Sequence, residues 1–243
     1  MSASTRLRAA LADGPVVVPG CHDPLSARLA AQAGARAVFL SGGAVGRALF
    51  DAPAIPRAGR DTYVEYLRLV CASSPVPVIV DGEDGFGDPV ATCVAVEDAG
   101  AAGVVIGDSG DDGVLCAADE LAAAIGRSRA VSAVVFVARA DGLEHDRADT
   151  AARLRRYADA GAEITLPLLN SALRTETRDE LRATITELAA AVGGTLAVHS
   201  RHGDELPPAD ELPAGIKAVF VTAVSLPRST EPLERVLTRR PGP

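Results

Sequence analysis

At 243 residues, 48% hydrophobic but only 3% aromatic, the chain must build its core from small aliphatic side chains, which suits helices packed on a parallel sheet. A net charge of −8, with basic residues scattered and not interleaved with aromatics, argues against a nucleic-acid partner. No apolar run is long enough to span a membrane, the N-terminus lacks a signal-peptide core, and the four cysteines show no metal-type spacing, so a cytoplasmic protein with reduced thiols and no membrane association is expected.

Residues 4–12 predict a short helix stopped by Gly14-Pro15, followed by a strand at 16–19. Asp23 caps a helix that has Pro24 in its first turn and runs to residue 33, and a strand follows at 37–40. The segment 44–60 is proline-rich and reads as irregular. Beyond it the pattern alternates: helix 62–72, strand 76–81, helix 89–98, strand 103–106, helix 117–129, strand 133–137. The same alternation continues through helix 148–159, strand 163–166, helix 175–192 and strand 195–198. A poor helix near 208–213, a strand at 218–221 and a last helix at 230–239 complete the series.

Eight strands alternating with helices predict a single (β/α)8 TIM-type barrel domain over residues 1–243, preceded by the short N-terminal helix. A repeat supports the count: Ala33-Gly34, Ala99-Gly100, Ala160-Gly161 and Ala214-Gly215 each place glycine where a helix should end before an even-numbered strand. An open doubly wound sheet is the alternative, but it usually has fewer strands and a glycine-rich first turn.

In such barrels the chemistry sits where strands end. The stretch 76–87 is the most charged of these ends: a β-branched run gives way to Asp81, Glu83 and Asp84 among Gly82, Gly85 and Gly87. Clustered carboxylates repel one another and lose solvation, costs that a divalent cation or an arginine would relieve. Ser41, Gly42 and Gly43 offer a hydroxyl and backbone N–H groups to a carboxylate or phosphate. Arg139 emerges after five apolar residues, either to pair with Asp81 or Asp108 or to clamp a substrate carboxylate. His199, ending the seventh strand, is a candidate general acid or base.

These residues carry a resemblance. Pro19 to Arg28, Phe39 to Gly43, Pro56 to Thr62, Val80 to Gly87, Ile106 to Ser109 and Ala138 to Asp141 follow, in order and at matching spacings, motifs of the isocitrate lyase/phosphoenolpyruvate mutase superfamily. The chain resembles that superfamily over nearly its full length. The resemblance implies a Mg2+-dependent barrel that makes or breaks C–C or C–P bonds beside a 2-oxo acid or its enolate, usually as a homo-oligomer. It also implies Asp81 and Arg139 as catalytic candidates, and Ser41, Gly42, Gly43 and Arg139 as substrate-binding ones; His199, which stands where the family has an asparagine, joins the catalytic candidates by its place at a strand end, and Arg57 joins the substrate-binding ones by its charge. Asp81, Glu83 and Asp108 are the metal candidates.

The chain departs from the family pattern at several points. Arg57 stands where the family has an aspartate, Gly107 where it has a glutamate, and Leu166-Pro167-Leu168 where an acid is expected. The lyases' cysteine loop after strand four has no counterpart. The expectation is therefore a lyase that cleaves, hydrolyses or decarboxylates a C–C bond of a small oxo- or hydroxy-dicarboxylate. Its alternatives are C–P mutase chemistry, or a metal-free or non-catalytic descendant in which Arg57 replaces the ion.

Overall fold

The computed structural model describes residues 1–110, 112–202, 204–207 and 211–222. The elements run α1 (Ala3–Ala12), β1 (Val16–Cys21), α2 (Pro24–Gln32), β2 (Val38–Leu40), α3 (Gly42–Phe50), α4 (Arg60–Ser73), β3 (Val78–Asp81), α5 (Pro89–Asp98) and β4 (Gly103–Gly107). Then come α6 (Ala118–Val131), β5 (Val135–Ala140), α7 (Arg147–Asp159), β6 (Ile164–Pro167), α8 (Ala172–Thr175), α9 (Arg178–Val192), β7 (Ala197–Ser200) and β8 (Ala218–Val221).

All strand pairs are parallel, in the order β6-β5-β4-β3-β2-β1-β8-β7. A bridge between Thr165 and Leu196 brings the two edges together, so the sheet is a nearly closed barrel, as the alternation predicted. The glycine repeat acts as expected at three positions: Gly34, Gly100 and Gly161 take left-handed φ values between 95° and 103° just after α2, α5 and α7, whereas Gly215, with a φ of 92°, precedes β8 from a turn and not from a helix.

Strand side chains alternate, and the two apolar clusters separate by that parity. Val16, Val18, Phe39, Ile79, Val105, Val135, Val137, Ile164, Leu166, Ala197, Ala218 and Phe220 fill the barrel interior, joined by Leu7 and Leu11 of α1. Phe39 and Phe220 meet edge to face there, with centroids 5.3 Å apart. The alternate residues, such as Val80, Val104, Ile106, Phe136 and Ala138, pack outward against the helices. Following the inward rows of β2 to β8 to the strand ends and just beyond reaches Ser41, Asp81, Gly107, Arg139, Leu168, His199, Arg201 and Thr222.

The segment 44–60 is not irregular throughout. α3 occupies Gly42–Phe50, and a 3-10 turn covers Arg57–Gly59. Three glycines make α3 a poor helix by propensity, but Gly46 permits a close approach by the following chain: a Cβ there would lie 2.6 Å from the Ala54 carbonyl. The short α8 was not anticipated either, and β5 and β7 end at Ala140 and Ser200, later than the patterns indicated. The expected helix at 230–239 lies outside the described residues, as does part of the 208–213 segment.

Candidate functional site

A cavity of about 490 Å³ opens at the end of the barrel where the strands finish. Its wall contains Ser41, Gly43, Asp81, Arg139 and His199, five of the residues singled out in the sequence. Phe39, Val105, Leu166, Leu168 and Phe220 supply its apolar lining.

Ser41 is the N-cap of α3, so Gly42 and Gly43 form the helix's first turn, where backbone N–H groups have no intrahelical partner. The Gly42 N–H donates to Asp81 Oδ2 at 3.2 Å. Gly43, on the cavity wall, presents the next of these donors to an incoming anion.

Asp81 ends β3 facing inward and is 9% exposed. Burial pushes its carboxyl up from the ordinary range, against the opposing pull of Arg139 and the N–H groups of Glu83 and Gly42. Glu83, two residues on, has a left-handed φ of 51°, a strained position for a side-chain-bearing residue. That turn brings its carboxylate beside Asp81's. A Cβ on Gly42 would stand 2.7 Å from Asp81 Oδ2 and inside van der Waals contact with Glu83 Oε1. Glu83 Oε1 also accepts from the Ile55 N–H at 3.0 Å.

Two hard oxygen donors held side by side fit Mg2+, which is typically bound by one or two carboxylates with water and substrate completing its shell. Among the described residues no group of three candidate metal ligands forms.

Arg139 is the last inward-facing residue of β5, in register with Gly107. Its Nε and Nη2 donate to Asp141 Oδ1 and Oδ2 at 2.7 and 3.1 Å, and its Nη1 lies 3.5 Å from Asp81 Oδ1. Burial works against this charge, but the carboxylates of Asp141 and Asp81 overrule it and hold the guanidinium's pKa above its usual value. Asp141 is fixed in turn by the Ser109 hydroxyl and by its own N–H, which donates to Asp108 Oδ1 at 2.9 Å.

Asp108 itself is not brought to the cavity. As the residue after Gly107 it points outward, where Oδ2 accepts from Tyr157 Oη at 2.7 Å and Arg153 Nη1 at 3.2 Å. Burial raises its carboxyl's pKa. Arg57 also stands apart from the cavity wall, 52% exposed, and pairs with Asp84 across the β3–α5 loop. His199 lines the cavity with its Nε2 accepting the Leu169 N–H at 2.7 Å. Burial first, and Arg139 second, lower its pKa to about 4, so the imidazole is neutral at physiological pH with its proton on Nδ1.

The sequence reading missed Arg47, Asn170, Arg174 and Arg201, which also line the cavity. Arg201 had a usable signal, since it lies two residues beyond His199 and so faces the same way. Arg174 sits on α8 and Arg47 on α3, elements that the patterns did not resolve.

Residues 7–236 match the family model described as phosphoenolpyruvate phosphomutase. The protein named Probable 2-methylisocitrate lyase 2 of Corynebacterium glutamicum is 33% identical over 65% of this chain and 56% of its own length. The chloroplastic carboxyvinyl-carboxyphosphonate phosphorylmutase of Arabidopsis thaliana is 34% identical over 63% of this chain and 50% of its own. These alignments therefore span only about half the length of each relative. The crystal structure of 2,3-dimethylmalate lyase superposes with a TM-score of 0.80 at 25% identity, covering 98% of this chain and 86% of that one. Barrel, strand-end motifs and family match agree, and the chain belongs to the phosphoenolpyruvate phosphomutase family of the isocitrate lyase/PEP mutase superfamily.

Proposed function

We propose that this chain is a carbon–carbon lyase that cleaves, hydrolyses or decarboxylates a small oxo- or hydroxy-dicarboxylate through an enolate. The observation that carries this reading is the convergence on one cavity of Ser41 and Gly43 at the α3 N-terminus, Asp81 and the Arg139 guanidinium, with the Glu83 carboxylate beside Asp81 behind Gly42. Two of the similar proteins are named as lyases, of 2-methylisocitrate and of 2,3-dimethylmalate, and they support the C–C reaction; the phosphorylmutase name of the Arabidopsis relative keeps C–P chemistry as the second reading.

The substrate's acid group is held between the Gly43 N–H and Arg139 Nη1, the guanidinium nitrogen that Asp141 does not occupy and that lies 3.5 Å from Asp81 Oδ1. Asp81 and Glu83 would hold Mg2+, which when bound supplies positive charge for the oxygen that becomes anionic as the bond breaks. His199, neutral and with Nε2 already engaged, offers Nδ1–H as a hydrogen-bond donor to a substrate oxygen. Leu166, Leu168 and Phe220 keep bulk water from the carbanionic carbon.

A cytoplasmic setting is supported by the free thiols of Cys21 and Cys93, both buried. A homo-oligomer is supported by Val17, Leu25 and Leu29, each more than half exposed around an apolar groove between β1 and α2.

Proton NMR of the chain incubated with 2-methylisocitrate, 2,3-dimethylmalate or oxaloacetate, with and without Mg2+, tests the reaction. Mg2+-dependent release of two smaller acids, or of carbon dioxide, is expected. No turnover together with no Mg2+-dependent oxalate binding by calorimetry would overturn the proposal, and conversion of phosphonopyruvate seen by phosphorus NMR would replace it with C–P chemistry.

A further inference from the structure

The loop after β3 is held in an unfavourable backbone shape. Glu83, Gly85, Phe86 and Gly87 take left-handed φ values of 51°, 82°, 51° and 84°. Glycine adopts them freely, but Glu83 and Phe86 carry side chains, and such residues stay left-handed only where their surroundings over-determine them. The Gly107 N–H donates to the Glu83 carbonyl at 2.7 Å, and Thr92 Oγ1 donates to the Gly85 carbonyl at 2.7 Å. Those bonds fix the turn from the β4 and α5 sides.

Its remaining side faces the start of α4. Three residues spaced by three reach it in series: Arg57 Nη2 pairs with Asp84 Oδ2, Arg60 Nη2 donates to the Ala91 carbonyl at 3.2 Å, and the Tyr63 ring lies 6.0 Å from that of Phe86. The Arg57 guanidinium also lies 3.7 and 3.9 Å from where a Cβ on Gly87 and on Gly110 would stand, so it touches the loops after both β3 and β4. Two residues earlier, the Ile55 N–H donates to Glu83 Oε1 at 3.0 Å. One short segment thus holds neighbouring carboxylates, Glu83 from its backbone and Asp84 from its side chain.

Asp84 needs that hold. Its side chain is only 11% exposed, its Oδ1 is buried with no hydrogen bond, and among the described residues Arg57 is the cation that matches its charge. Without the arginine, the loop relieves a desolvated carboxylate by turning Asp84 toward water, and Glu83 moves with it.

We infer that Arg57 is a positioning residue for Glu83: its pair with Asp84 locks the left-handed turn in which the Glu83 carboxylate stands beside Asp81, and so sets the affinity of that carboxylate pair for a divalent cation. The effect on the cation rests on the reading of Asp81 and Glu83 as Mg2+ ligands; the placement of Glu83 does not. Charge alone gives the opposite sign. An arginine near a cation site repels the ion, so removing it would tighten binding.

Calorimetry of Mg2+ with oxalate on the full chain, and amide hydrogen exchange of Ile55 by NMR without metal, test the two effects. Arg57→Gln should weaken Mg2+ about tenfold, the low end for a lost outer-shell partner, and speed Ile55 exchange by about the same factor. The Val80 and Val104 amides, paired in the barrel, should exchange as in the parent, which separates a local change from a loss of fold. Arg57→Lys can still meet Asp84 and should stay within about threefold of the parent in both readouts. Adding Arg57→Gln to Asp84→Asn should change either readout by less than about twofold, because the partner is already gone.

Mg2+ binding in Arg57→Gln that equals or exceeds the parent's would overturn the inference, as would unchanged Ile55 exchange or a full further loss in the double variant. If the parent itself takes up no Mg2+, the cation reading of Asp81 and Glu83 fails instead, and faster Ile55 exchange in Arg57→Gln still upholds Arg57 as the residue that places Glu83.

Discussion

Arg139 grips Asp141 as a fork, Nε to Oδ1 at 2.7 Å and Nη2 to Oδ2 at 3.1 Å, and this pair occupies the space that a side chain on Gly107 would need. A Cβ on Gly107 would lie 2.5 Å from Arg139 Nη2 and 2.9 Å from Asp141 Oδ2. The absence of the family's glutamate at this position and the rigid placement of Arg139 are therefore one feature. A longer acid at 107 would displace the guanidinium from the cavity.

Because the fork fixes the guanidinium plane, lysine is not equivalent at position 139. It retains the charge but cannot hold both Asp141 oxygens while also presenting a donor to the cavity. Arg139→Lys should lower kcat/KM by about 100-fold, the equivalent of roughly 3 kcal/mol of charge-assisted bonding. The rate of acid release measured at sub-saturating substrate checks this, and a loss under threefold would remove Arg139 from the substrate's binding shell.

Gly42 tests the carboxylate pair. Its missing side chain allows Asp81 and Glu83 to close on each other, and any Cβ would press on both carboxylates. Gly42→Ala should cost about 1–3 kcal/mol of stability through overpacking and weaken Mg2+ at least tenfold, while leaving the far-UV circular dichroism of the barrel intact. Calorimetric titration of Mg2+ in the presence of oxalate reads this directly. Unchanged metal affinity would mean that the ion is not held between Asp81 and Glu83.

The barrel was legible in the sequence because its signals are local: short β-branched runs, helix periodicity and a glycine repeating at helix ends. The cavity's inward residues were legible too, wherever strand parity was followed. Asp108 became a metal candidate by proximity to a motif, although Val105 and Gly107 face inward, so the next residue must face out. α3 was missed for a different reason. Gly42, Gly43 and Gly46 argue against a helix locally, and only the packing of residues 52–54 onto Gly46 favours one. Arg57 reads as a replacement for a metal ligand only until its partner Asp84, on a neighbouring loop, is located.

The outward placement of Asp108 has its own consequence. It satisfies Tyr157 Oη, Arg153 Nη1 and the Asp141 N–H inside the protein, so its removal strands buried donors. Arg153 keeps Asp149 and the Cys116 carbonyl, which puts the loss near the low end for a broken buried pair. Asp108→Ala should destabilise the fold by about 3 kcal/mol in urea unfolding, with Mg2+ affinity of the folded protein within about threefold of the parent. Asp81→Asn should do the reverse. A collapse of metal affinity in Asp108→Ala at unchanged stability would return Asp108 to the metal shell.

His199 makes the fold sensitive to acid in a defined window. Its pKa falls from the ordinary 6.5 to about 4 on folding, so the unfolded chain binds a proton that the folded chain refuses between those values. Stability present above pH 6.5 is therefore lost as pH falls toward 4, by about 3 kcal/mol for this one group. The loss is steepest where the Leu169 N–H, Arg139 and the apolar lining all oppose a positive charge. His199→Gln can still accept the Leu169 N–H through its amide oxygen but does not titrate. Urea unfolding of the parent and of this variant at pH 7 and pH 4.5 should show the parent losing roughly 2–3 kcal/mol more than the variant. Parallel losses in the two proteins would mean that His199 gains its proton freely in the folded state, and that its Nε2 is not committed to the Leu169 N–H.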